Sequence, residues 1–259
     1  MQPPIPAPLF AVLLLVGMLL VLEAGRRVGL SRRATESADE RSGLGAIEGA
    51  VFALFGLLVA FTFSGAASRF SEKRMLIAEE VNAVGTAYLR LDLVPEEAQP
   101  ALRDLFRRYV DSRLATYRKL PDLAAARVEM DRSRKLGAEI WARAVAATRV
   151  QGSYPGGGRL LLPALNSMLD IATTRTMALQ AHPPGFIYVL LFGLGLVCSL
   201  LAGYRMAMGP LRSWIHILGF TVITVVVVYV TLDMEYPRTG LFHLESADQM
   251  LVEAREGMK

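Results

Sequence analysis

The sequence predicts an all-α membrane protein with four transmembrane helices and an extramembrane helical bundle inserted between spans two and three. Two observations carry this. An apolar content of 53% and a mean hydropathy of +0.37 are high for a soluble chain of 259 residues, yet a charged content of 20% is too high for a chain lying wholly in a bilayer. Segregation reconciles them: apolar residues gather into four runs of about 20, the length needed to cross hydrocarbon roughly 30 Å thick. Charged residues fill the stretch between the second and third runs.

The first run, from about Ile5 to Leu22, ends at Glu23, Arg26 and Arg27. No Lys or Arg precedes it and no clean small-residue cleavage site follows, so it reads as a retained span rather than a leader. Arg26 to Arg41 is polar and rich in Arg and Ser, which predicts a short solvated loop. The second run, Leu44 to Ala67, is interrupted only by Glu48, Thr62 and Ser64 among polar residues, and no proline occurs from Leu44 to Val94. Its pattern turns amphipathic at Met75, Leu76, Val81, Val84, Tyr88 and Leu89 without a break. Span two is therefore expected to leave the bilayer as one continuous helix.

In the middle region, Glu96 to Lys119 sets Leu102, Leu105, Phe106, Tyr109, Val110, Leu114 and Tyr117 on one helical stripe. Pro95 and Pro121 bracket it, as helix boundaries do. Asp122 to Val150 is rich in Ala and Arg, with Leu136, Ile140 and Val145 as its apolar face. Tyr154-Pro155-Gly156-Gly157-Gly158 is a loop by composition, and Leu160 to Gln180 is a further helix ended by His182-Pro183-Pro184. Span three is Phe186 to Met208 and span four Trp214 to Leu232, joined by a turn at Gly209-Pro210 with Arg212. The chain thus divides into a transmembrane hairpin (1–67), a helical bundle of about four helices (68–184), a second hairpin (185–233) and a polar tail (234–259), partly helical from Ser246 onward.

The formal charge is +4, and the arginines are interleaved with Asp and Glu rather than gathered into a basic run, which argues against a nucleic-acid partner. One cysteine, Cys198, lies in an apolar run, so neither an internal disulfide nor a cysteine-based zinc site can form. His182, His216 and His243 are far apart and lack metal-ligand spacing. Gly156-Gly157-Gly158-Arg159 lacks the ending of a phosphate-binding loop, and no nucleophile motif is present. The chain is read as a non-enzyme without metal or cofactor.

Candidate functional residues fall into three groups. Phe55, Val59 and Phe63 recur every fourth residue in span two; around an axis of several copies they would stack as apolar rings able to gate by dewetting. Glu48, near the loop-face end of span two, is a carboxylate at membrane depth, and such groups pair or face water; Arg205 and His216 share its face. On the opposite face, Arg69 with Asp233, Glu235 and Arg238 would clamp the bundle to the bilayer surface or ring a pore mouth. Glu79, Glu80, Asn82 and Asp92 cannot all share a helix face, so they make no cation site by themselves. Gly45 with Gly49, and Ser64 to Ser68, allow close helix approach.

Gly56 to Phe70, reading GLLVAFTFSGAASRF, followed by Glu79 to Asp92, reading EEVNAVGTAYLRLD, resembles a bacterial family of membrane proteins described as bestrophin-like. His182-Pro183-Pro184 before span three and Asp233 to Gly240 after span four belong to the same resemblance, which covers the chain from about Glu48 to its end. It implies a bestrophin plan: four spans, a large cytosolic helical region, a pentameric assembly in the inner membrane, permeant ions as cargo, and a ladder of bulky apolar residues in span two as the pore neck. Charge gives the opposite orientation. Arg26, Arg27, Arg32, Arg33, Arg41, Arg205 and Arg212 on the loop face outnumber Arg69, Lys73, Arg74, Arg175 and Arg238, which places the loops inside and the bundle outside. The expected function is an oligomeric ion channel lined by span two. The alternative is a non-conducting scaffold or sensor whose helical domain binds a protein partner.

Overall fold

The computed structural model describes residues 6–32, 38–120, 122–150, 154–209, 213–236 and 245–258, with the backbone alone at 38–44, 123 and 245–247. Among these residues there are helices and no strands. In chain order they are α1 (Ala7–Arg32), α2 (Ala38–Leu89), a 3-10 turn (Arg90–Leu93), α3 (Gln99–Arg118), α4 (Leu123–Ala147), α5 (Gly157–Gln180), α6 (Gly185–Ala207), α7 (Trp214–Glu235) and α8 (Glu245–Glu256). Four stretches are long and apolar enough to cross a membrane: Ala7–Arg32, windows within Gly45–Leu93 and Gly157–Ala207, and Trp214–Glu235. The chain is an all-α, four-span membrane protein. As the proline-free sequence from Leu44 onward requires, α2 is one helix of 52 residues; it contributes to both of the two compact units into which the chain divides.

The membrane unit comprises Pro3–Ser68 and His182–Leu241. Its helix α1 buries Leu14, Met18, Leu22, Gly25 and Gly29, which fall at steps of three and four on one stripe. That stripe lies on α6 at backbone distance. A β-carbon at Gly203 would fall on the carbonyl oxygen of Leu22, and one at Gly25 on the carbonyl oxygen of Leu200, so only glycine fits either position. This packing corrects the expected Arg26–Arg41 loop. Helix α1 continues to Arg32 because Gly29 still rests against Tyr204 and Ala207 of α6. Around the crossing, Phe55, Leu191, Cys198, Val228 and Leu232 complete an apolar core, with Phe10 edge-on to Phe192 at 5.5 Å and Phe52 edge-on to Phe220 at 5.8 Å. Polar side chains in this setting satisfy themselves locally: the hydroxyls of Thr62, Ser199, Thr221 and Thr231 each donate to the carbonyl four residues back, at 2.7 to 2.9 Å.

The helical unit comprises Arg69–Ala181 and Phe242–Lys259. Asp122 caps α4, accepting from the amides of Ala124 and Ala125 at 3.0 Å, as an N-cap aspartate should. Gly156 has φ 81° ahead of α5, a left-handed conformation that glycine adopts at no steric cost. The core joins Val84, Tyr88 and Leu91 with the α3 stripe Leu102, Leu105, Phe106, Tyr109 and Val110, and with Ile140, Leu161, Leu165 and Met168. Leu251 and Met258 belong to the same core. The tail that the sequence sets apart therefore contains a helix that packs into this unit, through Leu251 on the helix and Met258 just past its end.

Candidate functional site

Within the membrane unit, α2 has two unlike faces. Glu48, Phe55 and Ala66 are buried, and Val51, Phe52, Leu58 and Val59 pack partly against the core. The other face is uncovered by its own chain and carries Ile47, Leu54, Leu57 and Phe61 as bulky groups. The expected ridge of Phe55, Val59 and Phe63 does not stay on one face. A helix turns about 100° per residue, so each step of four drifts by about 40°. Phe55 is 6% exposed and lies over Gly195, where a β-carbon would meet its ring at 3.6 Å; Val59 is half-buried; Phe63 is 41% exposed. Leu57, at 52%, and Phe61, at 68%, are the bulky, outward-facing side chains at that depth. Their alternation with Ala53 and Ala60 was a signal in the sequence that the spacing argument passed over.

Glu48 is buried, and its Oε2 lies 3.1 Å from Nε of the half-exposed Arg205. Gly45, one turn earlier, leaves room for that guanidinium: a β-carbon there would sit 2.9 Å from it. Gly49 faces open space instead. His216 is not brought to this pair; it is exposed, with Nδ1 2.5 Å from the Ser213 hydroxyl. At the other end of α7, Asp233 and Glu235 are both 1% exposed, so the single chain does not present them to water as a mouth ring. Glu235 Oε2 lies 3.8 Å from Nδ1 of His182, whose ring stacks on Tyr236 at 4.5 Å. Arg69 belongs to the helical unit, and Arg238 lies outside the described residues. No grouping of three or more His, Cys, Asp or Glu suited to a metal occurs among the described residues.

The densest charge cluster is one the sequence reading missed, inside the helical unit. Glu80 of α2 is fully buried. It accepts from Nε of Arg113 at 2.6 Å, from Arg175 at 2.6 Å and from the Tyr117 hydroxyl at 3.2 Å. Arg113 also donates to Tyr117, and the Arg175 guanidinium lies 3.5 Å from the centre of the Tyr117 ring. Burial works to raise the Glu80 carboxyl, but Arg113 and Arg175 outweigh it and hold the group below its ordinary value. Burial also pushes the nearby Tyr109 phenol up to about 12. Both oxygens of Glu80 are committed to arginine rather than turned toward Glu79, Asn82 or Asp92.

A family model described as the bestrophin-like domain matches residues 27–248, most of the chain. The chain belongs to the bestrophin-like family. Its fold is that of solved bestrophin homologs. Two crystal structures of a bacterial bestrophin homolog from Klebsiella pneumoniae, each carrying a point mutation, are similar to it at TM-scores of 0.57 and 0.55. Identity is 15% in both, covering 95% and 92% of this chain and 98% of each of those chains. No curated protein matches the sequence.

Proposed function

We propose that this bestrophin-like protein is an oligomeric ion channel of the bacterial inner membrane, with span two lining the pore. One contrast carries the reading. Beyond Trp214 and His216 in its first turn, the exposed face of α7 is bulky and aliphatic, with Leu218, Val222, Ile223 and Val226, which suits lipid. The exposed face of α2 instead intersperses small residues (Gly49, Ala53, Gly56, Ala60) among Ile47, Leu54, Leu57 and Phe61 and ends in Ser64 and Ser68. Small residues favour approach by other helices, here those of neighbouring copies. Leu57 and Phe61 then stand out from that face as an apolar constriction able to gate by dewetting, with Phe63 at its margin. Family membership supports the same plan, including a homo-oligomer with a central axis. Glu48 with Arg205 braces the loop-face end of the lining helix, and the buried Asp233 and Glu235 stand at the opposite end of α7.

Single-particle images of the detergent-solubilised protein are expected to show a closed ring with α2 innermost. A monomer, or a dimer with no central axis, overturns the channel and leaves the reading as a scaffold whose helical unit binds a partner.

A further inference from the structure

The buried cluster in the helical unit is incomplete without the last helix of the chain. Helices α2, α3 and α5 contribute Glu80, Arg113 and Arg175, which is one carboxylate against two guanidiniums. Arg175 is 2% exposed, and an uncompensated charge at such depth is strongly unfavourable. The missing negative charge comes from α8: Arg175 donates to Asp248 Oδ1 at 2.5 Å. We infer that Arg175, backed by Arg113 and Tyr117, forms a carboxylate-binding site that Asp248 fills, and that α8 is a docked strap able to leave the bundle as a unit.

The rest of α8 has the build of a bound helical ligand. Asp248, Leu251 and Arg255 follow at steps of three and four, so they share the face turned to the bundle, and Met258 follows just beyond the helix end. Leu251 and Met258 are buried in its core. Arg255 donates through two nitrogens to both oxygens of Asp111 in α3, at 2.8 and 3.0 Å, the bidentate geometry that gives arginine its specificity. Gln249, Glu253 and Glu256, on the other face, are exposed. A helix of 12 residues is marginal in water by itself. Its helicity therefore depends on this docking, and loss of the carboxylate contact loosens α8 before the helices beneath it.

The test uses the full-length protein in detergent. In Asp248→Asn, whose shape is nearly unchanged, amide exchange over 245–258 is expected to run roughly tenfold faster or more while α3 and α4 keep their protection. If α8 is unchanged, or if α3 and α4 loosen with it, the strap is wrong. Leu251→Ala, which leaves every charge in place, should loosen α8 in the same selective way; loosening of the whole unit would count against the strap. The site itself is tested in Asp248→Ala with formate as the probe. Tens of millimolar formate should raise the unfolding temperature of the variant more than equimolar chloride does, and should leave the unsubstituted protein unmoved. Equal effects of formate and chloride on the variant would rule out a carboxylate site.

Discussion

Replacing Glu80 by glutamine is expected to cost the helical unit about 3–5 kcal/mol, the loss typical when one partner of a buried ion pair is removed. The shape of the side chain is nearly kept, so the effect is electrostatic. Glu80 is fully buried and serves Arg113 and Arg175 at once. Without its charge, two guanidiniums share the single carboxylate of Asp248, which reaches only Arg175 among the contacts described. Thermal unfolding of the detergent-solubilised protein, followed by helical circular dichroism, measures the loss. A change of under about 1 kcal/mol, the worth of a surface pair, would show that the cluster is not the electrostatic centre of the unit. The same experiment has a pH signature. The folded-state value of Glu80 is depressed, so its stabilisation is complete above the ordinary value of 4.5 and is lost as pH falls below it through the folded value. Glu80→Gln should therefore flatten the acid limb of the stability profile as well as lower its plateau.

Replacing Gly203 by valine is expected to have an effect of similar size in the membrane unit. Overpacking usually costs about 1–3 kcal/mol, because side chains can shift to make room. Here the added carbon meets the backbone of α1, at the Leu22 carbonyl and within 3.0 Å of the Arg26 amide, and backbone does not shift cheaply. The two helices must separate along the crossing where Gly25 sits against Leu200. The loss should fall at or beyond the upper end of that range, read as a collapse in the yield of monodisperse protein. Gly193→Val in the same helix is the control, since its added carbon meets nothing within 4 Å. Equal behaviour of the two variants would mean that the α1–α6 contact does not hold the unit together.

Much of the architecture was legible because it depends on periodicity and run length. Four apolar runs gave four spans, and the absence of proline after Leu44 gave a single helix that leaves the membrane unit and enters the helical one. The errors have local physical causes. Arg26 and Arg27 made the end of α1 look like a loop, but a helix held by Gly25 and Gly29 against its neighbour continues past charges that pair with Glu23 one turn back. Phe55 and Phe63 share a spacing but not a face, since a period of four drifts on a helix of 3.6 residues per turn. The Glu80 cluster left a trace that could have been read: Arg113 stands on the apolar stripe of α3 between Tyr109 and Tyr117, and Arg175 extends the stripe of Leu161, Leu165 and Met168. A charge on a buried stripe implies a buried partner, though which carboxylate meets it depends on packing between distant segments. The same holds for Asp248, which lies 73 residues from Arg175 in sequence.

The central claim is that copies of this chain enclose an ion path along α2. Purified protein in liposomes, assayed for K⁺, Na⁺ and Cl⁻ flux, tests it most directly. The account predicts flux of at least one of these ions, altered when Leu57 and Phe61 are replaced by alanine and unaltered when Ile223 and Val226 of α7 are. Absence of flux for all three ions from rings of intact protein, or flux indifferent to Leu57 and Phe61, would contradict it.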